Sequence, residues 1–291
     1  LIGLGFKNPP ALVAYVVYYR VHSKNILFRL CQRMSFFSAL SLIHTRAQMN
    51  LKANAAQTYL SYLWWLLEPA LYVALFYVVF EVLMLRGGPG FLYFLILGKI
   101  PFLWVSKSLS SGANSIRSNR GLMGQVRLPI GILPYTPMLE AFYKQVFVFA
   151  FLGIFLSVSL DLTPTMHWWS LFAVVVVNLL FIIAITLPFS WLVAVVPDVS
   201  QLLPMVTMFL MFTSGAFFSV NDIANPVLRD AILTYQPLAF LIDAYRAVLL
   251  RGELPDVSHL VTLAVVFSLL IALWHLWFVR THHFVVRRVL H

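Results

Sequence analysis

Six apolar runs of about twenty residues dominate this chain, and a soluble domain carrying them would expose large adhesive patches. The runs are Tyr62–Leu85, Phe91–Ser111, Thr136–Leu160, Trp168–Val195, Gln201–Phe218 and His259–Val279. A helix needs about 20 apolar residues to cross about 30 Å of hydrocarbon. There every backbone N–H and C=O must be satisfied within its own segment, which predicts helices. Of 291 residues, 61% are hydrophobic and 10% charged, against roughly 25% charged in soluble domains. The predicted fold is an all-α membrane protein with six transmembrane helices. Its work is then transport, signalling or chemistry on lipid-embedded substrates.

The net charge of +10 invites a nucleic-acid partner, but its placement argues against one. Lys7, Arg20, Lys24, Arg29, Arg33, Arg46 and Lys52 precede the first run, with no Asp or Glu among them. Arg117, Arg120 and Arg127 follow the second run, and Arg280, Arg287 and Arg288 lie in the tail. With six spans these thirteen share one side and face only four, Arg86, Arg229, Arg246 and Arg251. The positive-inside rule puts the thirteen, and both termini, in the cytoplasm. The charge is a topology signal that also attracts anionic lipid, and no nucleic acid is implied.

Residues 1–34 form an N-terminal extension of unknown role. Its apolar stretch 11–19 is too short to span and no small-residue cleavage site follows, so no signal peptide is read. Residues 11–33 lie in the interface or cover the cytoplasmic side, and both readings stay open. The single cysteine, Cys31, excludes an internal disulfide and reads as apolar filler. Residues 35–58 are assigned as an amphipathic interface helix and linker. Over 35–50, Phe36, Leu40, Ile43 and Ala47 share one helical face, predicting a helix lying flat among headgroups.

The six-span domain, 59–279, carries several polar positions. Tyr59, Tyr62, Trp64 and Trp65 read as an interfacial belt. Glu68, before Pro69, lies one turn inside the first run, where a carboxylate must be paired or wet. Gly87-Gly88-Pro89-Gly90 reads as an external turn. Lys107 is near enough to the cytoplasmic end to snorkel. Lys99 is deeper, where an ammonium facing lipid is costly. Gly98-Lys99 is not a phosphate loop, because Tyr93 occupies the first glycine position. Glu140 and Lys144 are four apart and neutralise each other.

Ser115–Gln125 reads as a short amphipathic piece, with Ile116, Leu122 and Met123 as apolar contacts and Arg117, Asn119 and Arg120 as polar ones. Pro129 and Pro134 break the chain before the third run. Two short helices are predicted between runs five and six, about 222–250. Asn225-Pro226 starts the first as N-cap and N1. Pro237–Leu250 turns Leu238, Leu241, Ile242, Tyr245 and Leu249 to one face, and Arg251-Gly252 ends it. Too short to span, they are read as re-entrant or outer-leaflet helices. Asp243 and Arg246, three apart, read as a helix ion pair. His282 and His283 are adjacent and so do not share a helical face, which argues against a metal site there. Residues 280–291 read as a basic cytoplasmic tail.

The order of these elements resembles the transmembrane subunit of bacterial polysaccharide ABC exporters. The matching residues begin with Tyr62-Leu63-Trp64-Trp65-Leu66-Leu67-Glu68-Pro69. Asn119-Arg120-Gly121-Leu122 and Val126-Arg127-Leu128-Pro129 follow. Pro197-Asp198-Val199 with Leu203-Pro204 comes next, then Gln236-Pro237-Leu238 through Tyr245-Arg246. Order and spacing carry the resemblance over about residues 36–280; no single motif does.

The resemblance implies a permease for lipid-linked capsular polysaccharide or O-antigen, multi-pass in the inner membrane. It implies a homodimer with a channel between protomers and two copies of an ATPase subunit that alone binds ATP and Mg. It leaves room for a periplasmic adaptor and an outer-membrane exporter beyond. About 115–125 would be a cytoplasmic coupling helix docking through Ile116, Arg117, Asn119, Arg120, Leu122 and Met123. The short helices, with Pro226, Pro237, Asp243 and Arg246, would gate the outer exit. Sugars bind aromatic faces weakly enough to slide, which offers Tyr62, Tyr72, Trp104, Phe217 and Phe218 as channel lining beside Glu68, each with packing as its plainer reading. Lys99 would attract an acidic glycan or lipid phosphate, or simply pair with Glu68 or Glu81. No catalytic, cofactor or metal residues are assigned. The rivals are a related ABC permease for a teichoic-acid-type polymer, lipid or drug, an integral membrane enzyme, and a channel or secondary transporter; neither a polar cluster nor an internal repeat favours the last two.

Overall fold

The computed structural model describes residues 36–56, 61–83, 90–125, 129–159 and 168–290, and nearly all of them are helical. The helices are α1 (Phe36–Ala56), α2 (Trp64–Tyr77), α3 (Phe91–Ser118), α4 (Arg120–Gln125) and α5 (Tyr135–Ser159). Then come α6 (Trp168–Val195), α7 (Val199–Thr213), α8 (Pro226–Tyr235), α9 (Pro237–Arg246) and α10 (Val257–Leu290). A wide π-type turn continues α2 over Val78–Leu83, and another continues α9 over Ala247–Arg251. The expected extension with Cys31, and Tyr59, Arg86, Gly87-Gly88-Pro89 and Val126-Arg127-Leu128, lie outside the described residues.

Five helices are long and apolar enough to cross a membrane: Trp64–Leu83, Phe91–Gly124, Ile130–Val158, Trp168–Val195 and Val257–Leu290. The expected fifth span, Gln201–Phe218, is the shorter helix α7, whose 15 residues give way to a turn at Ser214. At ~1.5 Å per residue α7 reaches about 22 Å, short of the ~30 Å hydrocarbon core. α10 runs unbroken to Leu290, so Arg280, Arg287 and Arg288 of the expected basic tail sit on helix.

Two further boundaries differ. α1 extends past residue 50 to Ala56, and its buried face is Ala47, Leu51 and Ala55, one residue per turn against α5. Phe37 and Leu40 are exposed. The expected 115–125 helix is split, because α3 runs on to Ser118 and stops at Asn119. The Asn119 amide donates to the Ser115 carbonyl at 2.7 Å, so a side chain closes the helix end.

α3 is the hub. It packs against α6 and α5 most extensively, then α2, α9 and α7, while α10 covers the far side of α6. In lipid there is little hydrophobic gain between helices, so close van der Waals contact must hold them. At Gly112 any Cβ would overlap Thr186 of α6, which explains how closely these two helices approach. The main core joins Phe102 and Trp104 of α3, Phe181 of α6, Leu238 and Tyr245 of α9 and Phe267 of α10. Pro69, Pro101, Pro188 and Pro204 lie inside helices without ending them.

Candidate functional site

α3 presents Lys99 to the seam between α2, α7 and the turn following α7. The residue is 4% exposed. Its Nζ lies 4.7 Å from the centre of the Phe76 ring, 5.1 Å from Phe102, and 5.3 Å from both Tyr72 and Phe217. It also donates to Met211 Sδ at 3.3 Å. Such cation–π contacts contribute roughly 0.5–2 kcal/mol each, offsetting part of the desolvation of a buried charge. No carboxylate among the described residues forms an ion pair with it.

The expected pairing of Lys99 with Glu68 or Glu81 is therefore corrected. α2 and α3 run antiparallel, and the register that sets Tyr72 and Phe76 against Lys99 sets Glu68 against Lys107. Those two form the ion pair, at 2.5 Å. The other expected lining residues scatter. Tyr72 and Phe217 belong to the Lys99 cage, and Phe218 is exposed beside it. Tyr62 stacks edge-on against Trp65 at 4.9 Å. Trp104 is 2% exposed and packs on Phe142 and Phe149 of α5, away from the cage. Phe76 and Phe102 were legible in principle, one turn from Tyr72 and from Lys99. Met211 carried no signal.

Between α7 and α10 the chain forms the expected pair of short helices. Asn225 caps α8, accepting from Val227 N at 3.0 Å and Leu228 N at 3.3 Å, with Pro226 at N1. Pro237 opens α9, and Leu238, Leu241, Ile242, Tyr245 and Leu249 are all buried. Gly252, with φ of 67°, closes the segment. The Asp243–Arg246 pair does not form. Asp243 takes a two-pronged contact from Arg251, at 3.0 and 3.1 Å. Arg246 turns inward at 3% exposure. It donates to the carbonyls of Gly215 (2.8 Å), Ala216 (3.0 Å) and Phe94 (3.2 Å), and its guanidinium stacks 3.4 Å from the Phe94 ring centre. The planar fork suits the Gly215 and Ala216 carbonyls just past the C-terminus of α7, where the dipole is negative, and it also reaches Phe94 in the first turn of α3. α10 then begins on Asp256. Hydrogen bonds from the Ser258 hydroxyl and the His259 and Ser258 amides hold its carboxyl below the usual carboxylate range.

At the opposite, basic end, α3, α4, α1 and α10 converge. Ile116 is fully buried and Met123 packs toward Val286 and Val289 of α10. Arg120 donates to the Leu290 carbonyl at 2.7 Å, and Arg46 of α1 to Asn119 Oδ1, also at 2.7 Å. Arg117 is exposed, and Leu122 is half-buried. Of the residues expected to dock a partner, Asn119 and the exposed Arg120 thus tie the corner together, while Arg117 is exposed.

Three relatives bear on this architecture. The chain is 27% identical over 225 residues to the O-antigen export system permease protein RfbA of Myxococcus xanthus, covering 77% of this chain and 86% of that protein. This chain is related to export permeases. A protein of the same name from Klebsiella pneumoniae is 23% identical over 206 residues, 70% of this chain and 78% of its own length. The polysialic acid transport protein KpsM of Escherichia coli is 25% identical over 208 residues, 68% of this chain and 76% of that one. No protein-family model matches. The resemblance read from the permease-like residues agrees with these relatives, and the five apolar helices make the chain a multi-pass membrane protein.

Proposed function

We propose that this chain is the permease subunit of an ATP-driven exporter that moves a lipid-linked polysaccharide, of capsule or O-antigen type, across the inner membrane. In this reading α7 and the turn after it complete a sixth crossing, and both termini are cytoplasmic. Two protomers enclose the channel, and each engages a separate ATPase that holds ATP and Mg. The pair α8–α9 re-enters the outer leaflet and gates the exit, with an adaptor and an outer-membrane exporter further on.

One observation carries the reading: in a relative of export permeases, a buried ammonium walled by aromatics sits where α2 and α7 meet, and the outer faces of both helices are uncovered. Leu71 and Leu75 of α2, and Met205, Met208, Phe209 and Phe212 of α7, are exposed. A second copy packed over these helices would turn Tyr72, Lys99 and Phe218 toward a shared passage. Aromatic walls give weak contacts that a sliding glycan can leave, and the cation favours an acidic sugar or phosphate. Outward-facing Arg117 is the docking charge, and Arg120 holds α4 against α10.

The test is reconstitution with a candidate partner ATPase subunit. ATP hydrolysis should rise with lipid-linked glycan, and Arg117→Glu should abolish that rise without loss of membrane insertion. Transport without a nucleotide-consuming partner, or termini on opposite faces, would overturn the proposal.

A further inference from the structure

On the other flank of α2 lies a groove that the export reading does not use. α2 and α5 both lean on α3 and touch each other only sparsely, leaving a trough between them. Its basic-end half is a cleft of about 500 Å³. Lys107, Glu140 and Lys144 line it, and Glu68 is ion-paired to Lys107, so cationic and anionic groups balance. Trp65 closes one side, in edge contact with Phe147 of α5 and with the Lys144 ammonium 5.9 Å from its ring centre. Trp104 and Gln145 also line the cleft. The Trp104 indole N–H and the Gln145 amide nitrogen are buried without a hydrogen-bond partner among the described residues, and both residues are more than nine-tenths buried. Orphan donors are costly, and these two lie behind the cleft wall.

The groove does not end there. Pro69, Ile100 and Val148 are shared with a second cavity of about 340 Å³ farther along the same trough. That half is apolar, walled by Leu66, Val73, Ile96, Phe151 and Phe155. A polar, charge-balanced chamber continuous with a hydrocarbon slot along the helix axis has the polarity profile of an amphiphile.

We propose that this α2–α3–α5 groove is a binding site for a zwitterionic phospholipid whose head carries a phosphate and a primary ammonium. The phosphate oxygens take donors from Lys107 and Lys144. The ammonium meets Glu140 and the Trp65 face, and one acyl chain fills the apolar slot. A purely anionic head would leave Glu140 facing like charge, and a quaternary ammonium could not donate to it. The site stands whether or not the Lys99 seam carries cargo.

The experiment uses the full chain purified in detergent. Phosphatidylethanolamine, phosphatidylcholine, phosphatidylglycerol and a polyprenyl phosphate are titrated against thermal unfolding, and retained lipid is measured by mass. The expected result is retained phosphatidylethanolamine, a raised midpoint, and about tenfold preference over phosphatidylglycerol, equivalent to ~1.4 kcal/mol. The double variant Glu140→Gln with Lys144→Gln should lose the preference. Ala70→Phe, which fills the slot without touching a charge, should lose retention. Equal or tighter binding of phosphatidylglycerol or polyprenyl phosphate would overturn the proposal in favour of an anion site. Absence of any lipid response would overturn it as well. A disulfide-linked dimer through Ala70→Cys in a Cys31→Ser background would assign the groove to a second copy instead.

Discussion

Lys99 and Arg246 are both cations buried to within a few per cent on facing elements, yet they are held in opposite ways. Arg246 is met by three backbone carbonyls and a stacked ring, and its fork ties α9 to the end of α7 and to α3. Lys99 is met by four aromatic rings and a thioether, all weak, and by no carboxylate among the described residues. The first arrangement is a clamp whose removal strands polar groups. The second holds its charge by weak, undirected contacts alone. The comparison separates a cation tied into the bundle by directed hydrogen bonds from one held only by rings and a thioether.

The sharpest way to break that comparison is Arg246→Ala. It leaves the carbonyls of Gly215, Ala216 and Phe94 without their donor, with an expected loss on the order of 3 kcal/mol. Thermal unfolding in detergent checks it, and Arg246→Lys should recover little because a point charge cannot span the fork. The same contact fails from its other side in Gly98→Ala, whose Cβ would overlap the Ala216 carbonyl and the Arg246 guanidinium. Overpacking there should cost about 1–3 kcal/mol in the same assay. Lys99→Met should behave differently. Replacing a buried charge with an apolar side chain of similar length should leave stability unchanged or up to ~2 kcal/mol higher. Export of an acidic glycan should nevertheless fall severalfold; a variant as unstable as Arg246→Ala would erase the distinction. The smallest effect is expected at Asp256. Its folded carboxyl titrates below the unfolded value of about 3.9, so its stabilisation is complete above that value and is lost as pH falls through the lower folded one. Asp256→Asn should flatten the acid limb of the unfolding curve.

Much of this was written in local sequence. α6 coincides with its apolar run, Trp168–Val195, because length and apolarity alone define such a helix. Asn225-Pro226, the α9 face and the Gly252 terminus were legible because caps and amphipathic periodicity are properties of neighbouring residues. The Glu140–Lys144 pair, at 2.8 Å, is likewise local. The misreadings share a cause. Asp243 and Arg246 have the spacing of an ion pair, but the direction each turns depends on what surrounds α9: a ring of carbonyls inside, and Arg251 outside. Apolarity said that Gln201–Phe218 belongs in the membrane, but not that the helix ends at Thr213, where the chain turns under Arg246.

The sequence by itself thus determined a helical membrane protein, its basic end, its short-helix pair and its kinship with export permeases, since hydropathy, capping and charge are additive along the chain. Only the tertiary structure decided which aromatics cage Lys99, which carbonyls take Arg246, and that α2 and α5 leave an amphiphilic groove between them. Those outcomes depend on antiparallel register and close backbone approach between helices distant in sequence, and no local pattern encodes either.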